Sequence, residues 1–199
     1  MMGWLGTVPL AAHGIAMQLT SLTFMVHLGL SNAATVRAGN AYGRADVAHL
    51  ARGAWVVTVM SLAFALATVA LFVLTPEFFI NIFILKDEPA RAEILSIGVG
   101  LLFMAGLFQL VDGTQAIALG TLRGVQDTRL PMVYAALSYW GIGVPAAYVM
   151  CFVLGWGGIG VWGGLALGLA VAAILLNWRF WRTVLPGISR KDAAQNAAT

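Results

Sequence analysis

The sequence predicts an all-α fold: a polytopic transmembrane helical bundle with about five spanning helices. Three observations carry this reading. The 199 residues are 60% hydrophobic and only 10% charged, where a soluble domain carries roughly 25% charge. Mean hydropathy is +0.88. Apolar runs long enough for the roughly 20 residues of a bilayer crossing recur along the chain, separated by short polar breaks. The single cysteine, Cys151, lies in an apolar run and has no partner in the chain, so neither a disulfide framework nor a cysteine metal site is available.

The N-terminal MMGWLGTVPLAA has no positive region ahead of its apolar residues and does not read as a signal peptide. Residues 1–9 read as the end of a preceding transmembrane helix and its outer loop. The membrane domain covers 10–185, with helices expected at about 10–40, 48–74, 94–122, 131–154 and 159–177. The first and third exceed one crossing and should tilt or project. The breaks have physical causes. Residues 40–46 are polar and contain Gly43, able to end a helix. Thr75-Pro76 stops the second span. Lys86-Asp87-Glu88-Pro89 is a charged loop whose proline suits a helix start. Gly124 follows the third span, Pro131 opens the fourth, and Gly155-Trp156-Gly157-Gly158 forms a tight uncharged turn. The tail, 186–199, is polar and small and is expected to be disordered.

Basic residues set the orientation. Nine fall on one side: Arg37, Arg44, Arg52, Arg123, Arg129, Arg179, Arg182, Arg190 and Lys191; two, Lys86 and Arg91, fall on the other. The positive-inside rule places the first side, and the C-terminus, in the cytoplasm. Trp55, Trp178 and Trp181 then lie near the inner interface and Trp156 and Trp162 near the outer one, as aromatic belts. An outer N-terminus without a signal is most simply repaired by one helix upstream. It points to a fragment or the second half of a larger transporter.

Asp112, inside FQLVDGTQAIALG, is the strongest chemical signal. A charge at the bilayer centre costs roughly 2.5–3.5 kcal/mol on insertion scales, so it needs a role or a buried partner. Gln109, Asp112 and Gln115 lie at i, i+3 and i+6 on one broad helix face, beside Gly113 and Thr114. Such a stripe faces a water-filled cavity or a partner helix. A carboxyl there can alternate between protonated and cation-bound forms; the competing reading is a structural hydrogen bond. The first span carries a second stripe of His13, Met17, Thr20, Phe24, His27, Ser31 and Thr35, with Gln18, Ser21, Thr23 and Asn32 nearby. Thr20, His27 and Ser31 are candidates for lining a cavity, against a plain role in interhelical hydrogen bonds worth about 0.6 kcal/mol each. His27 could also titrate near neutral pH. His13, near the outer interface, fits snorkelling or loop capping.

Gly160, Gly164 and Gly168 form a GxxxGxxxG packing face, and 23 glycines in all exceed the roughly 7% norm, favouring close helix approach. Pro145 lies inside the fourth span and should kink it. The loop from Arg123 to Arg129 carries both charge signs; it locks against other helix ends or simply signals topology. HExxH, GxGxxG after a strand, GxxxxGK[ST] and GxSxG are all missing from the sequence, so no enzyme is indicated. The basic residues are dispersed around helix ends, against nucleic-acid binding.

LGTVPLAAHGIAMQL, GLSNAATVRAGNAYG, FQLVDGTQAIALGTLRGVQDTRLPM, YWGIGVPAAYV and GVWGGLALGLAVAAILL resemble, in order, blocks of the multidrug and toxic compound extrusion (MATE) family, in its NorM-type branch. The resemblance covers nearly the whole chain. It implies the C-terminal half of a twelve-helix, two-lobe transporter, from the end of helix seven to helix twelve. It implies multidrug efflux by antiport against Na+ or H+ across the cytoplasmic (inner) membrane, with no other cofactor. The partners implied are organic cations and hydrophobic drugs, the lipid bilayer and a missing N-terminal lobe. The family's acidic residue on helix ten matches Asp112, which would bind the coupling ion, with Na+ a possible metal. Phe108, one turn earlier, offers no oxygen ligand, and the family's other acidic residues fall outside this sequence. Two alternatives remain open: a lipid or lipid-linked oligosaccharide flippase of the same superfamily, disfavoured because no arginine lies well inside a span, and an inactive truncated membrane segment.

Overall fold

The computed structural model describes residues 1–85 and 87–196. The chain is helical throughout, and five helices are long and apolar enough to cross a membrane. After a single 3₁₀ turn, Met2–Trp4, Gly6 turns the backbone at φ +119 and α1 (Thr7–Gly43) begins. Its 37 residues would span about 55 Å, well beyond the roughly 30 Å hydrocarbon core. Gly43 is the last helical residue, and Ala45 rather than a glycine takes the left-handed position at φ 55. Asp46 then caps α2 (Val47–Leu74), its carboxylate accepting from the His49 N–H at 2.9 Å.

Thr75-Pro76 does more than stop a helix. Pro76 occupies the first position of a short helix, α3 (Pro76–Asn81), where its missing N–H costs nothing. Arg91 opens α4 (Arg91–Gly124) and donates to Asn81 Oδ1 at 2.6 Å, tying the loop back. The 34 residues of α4 pack against α1, α2 and the fifth span, making it the centre of the bundle.

The fourth span, Arg129–Val153, changes its winding. It runs as α5 (Arg129–Ala136), a π-helical stretch Leu137–Gly143, α6 (Val144–Tyr148) and a second π stretch Val149–Val153. The sequence predicts a kink at Pro145. Around it the backbone stays right-handed helical, with π-helical stretches on both sides of the α6 turn that contains Pro145. Gly155 (φ 74) and Gly157 (φ 55) make the turn into α7 (Gly157–Arg179), which continues through π-helical Phe180–Val184 into α8 (Leu185–Asn196). The disordered tail expected from 186 is therefore corrected: the helix continues to Asn196, and 197–199 lie outside the described residues.

Glycines set how closely the helices approach. A Cβ at Gly164 would stand 2.1 Å from the Ala147 nitrogen, at Gly160 2.5 Å from the Met150 carbonyl carbon, and at Gly168 2.7 Å from the Gly143 Cα. The GxxxGxxxG face of α7 thus lies directly on the backbone of the fourth span. Gly120 and Gly124 of α4 lie on α1 in the same way, 2.5 Å from the Ser31 and Thr35 carbonyl oxygens by the same measure. Two apolar clusters close the ends of the bundle. One gathers Ala12, Ala16, Leu101, Leu102, Ala105 and Trp162; the other, at the arginine-rich end, gathers Ala41, Leu50, Leu122, Leu176 and Phe180. Trp162 is 2% exposed, so it belongs to the core and not to an interfacial belt. Large apolar side chains such as Leu66, Leu74, Trp140 and Ile174 cover the outside, as a bilayer requires.

Candidate ion and substrate site

A polar layer lies between the two apolar clusters, along the seam of α1 with α4. Ser31 donates to the Ala116 carbonyl at 2.7 Å and Thr35 to the Gly120 carbonyl at 2.9 Å. Thr20 returns its hydroxyl to Ala16 O at 2.7 Å. Gln109 donates from Nε2 to Thr20 O at 3.2 Å and to the Thr23 hydroxyl. His27 shares a 2.8 Å hydrogen bond between Nδ1 and Ser61 Oγ of α2, and its ring meets Phe64 edge-on. Its Cε1 stands 2.6 Å from where a Cβ on Gly113 would be. A side chain at 113 would expel the imidazole.

This corrects part of the sequence reading. Thr20, His27, Ser31, Gln109 and Gln115 are all buried. They are enclosed in helix junctions and do not form an open wall. For the α1 stripe the reason is steric: Gly113 and Gly120 let α1 approach α4 so closely that His27 and Ser31 are sealed in, His27 on Ser61 and Ser31 on a backbone carbonyl. Thr114 is also reassigned. Helical geometry turns it about 160° from Asp112, and it lines a separate apolar cleft between α2, α4 and α7. His13, expected to snorkel or cap a loop, instead accepts at Nδ1 from the Trp162 indole at 3.1 Å, joining α1 to α7.

Asp112 differs from all of these. It is half-buried, and among the described residues no hydrogen bond or ion pair engages its carboxylate. The orphaned polar atoms enclosed nearby on α1 and α4 are His27 Nε2 and Gln109 Oε1; Ser138 Oγ is a third, next to Tyr139. The arrangement offers one anionic oxygen pair with neutral polar neighbours. It suits one monovalent cation or a proton. No group of three or more His, Cys, Asp or Glu residues gathers among the described residues.

The exposed face of α1 carries what the sealed stripe does not. Gln18, Ser21 and Asn32 are exposed, beside Gly14 and Gly29. In the sequence they only add polarity beside the His27 stripe; their shared helical face, opposite His27, is the signal that separates them. The charged loop after α4 locks onto α7: Asp127 accepts from Arg179 Nε at 2.5 Å and from its second nitrogen at 3.0 Å.

The chain is similar to known proteins of one family. Residues 1–149 match the family described as MatE. The chain is 47% identical over 194 residues to a probable multidrug resistance protein NorM of Rhizobium meliloti (strain 1021), covering 98% of this chain and 41% of that protein. It is 48% identical over 180 residues to a probable NorM of Agrobacterium fabrum (strain C58 / ATCC 33970), covering 90% of this chain and 39% of that protein. Among solved structures, the outward-facing conformation of a multidrug resistance MATE family transporter of the MOP superfamily superposes with a TM-score of 0.81 at 22% identity. That match covers 92% of this chain and 40% of the other. The chain thus spans about two-fifths of the length of the curated relatives it matches.

Proposed function

The chain belongs to the MatE family, whose named members are membrane transporters and not enzymes, and from this premise we propose that it forms the C-terminal lobe of a cation-coupled drug exporter. The coupling ion, Na+ or H+, binds at Asp112. The export direction is out of the cytoplasm across the inner membrane, with the arginine-rich helix ends and the C-terminus inside. Organic cations and hydrophobic drugs occupy a cavity shared with an N-terminal lobe, whose wall on this side is the exposed polar face of α1, with Gln18, Ser21 and Asn32, together with Asp112.

A single observation carries the reading: Asp112 is a half-buried carboxylate on the central helix that no arginine, lysine or hydrogen-bond donor among the described residues neutralises. A purely structural acid in this position would hold a partner. An ion that binds Asp112 favours one access state, and a cationic drug favours the other, to the extent that each has different affinity for the two states. The α1–α4 seam keeps Asp112 in place, since its glycine contacts leave no room for α4 to rotate against α1.

The test joins this chain to the N-terminal half of the Rhizobium meliloti relative and measures efflux of a fluorescent organic cation from vesicles under an imposed Na+ or pH gradient. Asp112→Asn should abolish gradient-driven efflux with the protein still in the membrane. Efflux at the parental rate in that variant removes Asp112 from the mechanism.

A further inference from the structure

The cleft between α2, α4 and α7 faces away from Asp112 and has no part in the site above. It encloses about 540 Å³, and Leu62, Leu66 and Ile174 are among its walls. Its only polar side chains, Thr114 and Asn177, bond back to their own helices: Thr114 Oγ1 donates to Leu110 O at 2.8 Å, and Asn177 gives one Nδ2–H to Ala173 O at 2.9 Å. The other lining side chains are aliphatic, so apart from the Asn177 end the walls suit an apolar ligand. The three helices are long and apolar enough to cross a membrane, and exposed Leu62, Leu66 and Ile174 at the cleft suit a hydrocarbon phase beside it.

The rim is different. Asn177 ends the cleft at the last turn of α7, at the arginine-rich end of the bundle. The next residue, Trp178, is 64% exposed. The Arg182 guanidinium is held 5.6 Å from the centre of its ring. The neighbouring Arg179 is neutralised by Asp127, which is the one ion pair among the described residues. Arg182 therefore presents a planar cation with no acidic partner among the described residues, one turn beyond Trp178 at the end of an aliphatic groove, at the depth where tryptophans mark the headgroup region.

We propose that this cleft is a docking groove for an anionic phospholipid, its acyl chain along the aliphatic walls and its phosphate on Arg182. A neutral hydrophobe leaves the cation unexplained, and a free phosphate leaves the groove unexplained; a lipid with net negative charge uses both. The inference rests on the spans and the rim, and holds whether or not the chain exports drugs.

The experiment adds equal amounts of palmitoyl-oleoyl phosphatidylglycerol and phosphatidylcholine to the purified 199-residue chain in detergent and reads bound lipid by native mass spectrometry. Phosphatidylglycerol should be retained about five-fold over phosphatidylcholine, the factor expected of one arginine at an anionic headgroup. Arg182→Gln should bring that ratio to about one while bound lipid persists. Ala170→Phe, which fills the groove, should lose both lipids with helical content unchanged. Should Ala170→Phe misfold, phosphatidylglycerol brominated on its acyl chain should quench the unaltered chain more strongly than Trp178→Phe. Equal retention of the two lipids, an unchanged ratio in Arg182→Gln, no quenching difference, or displacement of lipid by a cationic drug at stoichiometric concentration each overturns the proposal.

Discussion

Asp127 and Arg179, 52 residues apart, form a two-point ion pair that ties the loop after α4 to the end of α7, both side chains being less than one-fifth exposed. The geometry is prepared locally. Gln126 takes a left-handed conformation, and the Asp127 N–H returns to Leu122 O at 2.9 Å, which aims the carboxylate across the bundle. Arginine suits this position because its fork matches both carboxylate oxygens.

Breaking the pair on one side should destabilise the chain. Asp127→Ala and Arg179→Ala should each cost about 1–2 kcal/mol, between the values for exposed and buried pairs. The exchange Asp127→Arg with Arg179→Asp should recover part of the loss. Thermal unfolding of the detergent-solubilised chain reads this. No loss in either single variant would reduce the loop to a topology signal, the other reading its arginines allow.

Substitutions along the glycine face of α7 should separate sharply by position. A methyl at Gly164 would meet main-chain atoms of Ala147, which cannot yield without moving the fourth span. At Gly163, the nearest atoms are the flexible ends of Met150, at 3.4 Å, and Met104. Gly164→Ala should therefore cost about 1–3 kcal/mol, and Gly163→Ala should lie within about 0.5 kcal/mol of the parent. Equal effects in the same unfolding assay would mean that α7 and the fourth span do not pack as described.

Much of the architecture was legible because lipid imposes a blunt code. Apolar length located five spans, and polar breaks around Asp46, Lys86 and Asp127 separated them. What escaped the sequence were choices that composition does not encode. Pro76 reads equally as a stop and as the first residue of α3. Pro145 reads as a kink, and the π turns on either side of it have no motif in the sequence. Most consequential is α1, polar on two opposite faces. His27 and Ser31 on one face and Gln18 and Asn32 on the other are equally good cavity candidates until a neighbour is placed. Gly113 and Gly120, on another helix, decide that the first face is sealed. Asp112 stands out in the sequence before any neighbour is placed, because a membrane leaves few structural uses for an unpaired carboxylate.

The His27–Ser61 contact makes a prediction whose sign is informative. Ser61→Ala removes the partner of Nδ1 and leaves both imidazole nitrogens enclosed without a hydrogen bond, since Nε2 already has none. The expected cost is about 1–3 kcal/mol. Removing both polar groups, with His27→Leu and Ser61→Ala together, should be less harmful than Ser61→Ala alone. A double variant worse than the single would show that the imidazole has another polar partner inside the bundle.

The two faces of α1 can be told apart chemically. Cys151 is 2% exposed, so the unmodified chain supplies a silent background for thiol labelling. Cysteines placed singly at Gln18, Ser21 or Asn32 should react with a membrane-impermeant maleimide in reconstituted vesicles if that face meets a hydrated cavity, because the reactive thiolate forms only where water reaches it. Cysteines at Thr20 or Ser31 should not react, being enclosed against α4. A cysteine at Leu66 should also stay unlabelled despite its 53% exposure, since its surroundings are lipid. The Leu66 control gives the measurement its force, by separating exposure to water from exposure to hydrocarbon. If Gln18 and Asn32 remain as silent as Leu66, the polar face of α1 is covered by another helix or by lipid, and the substrate path must be sought elsewhere. Labelling at all three polar positions, slowed by a cationic drug in the fused transporter, would place the drug against this face.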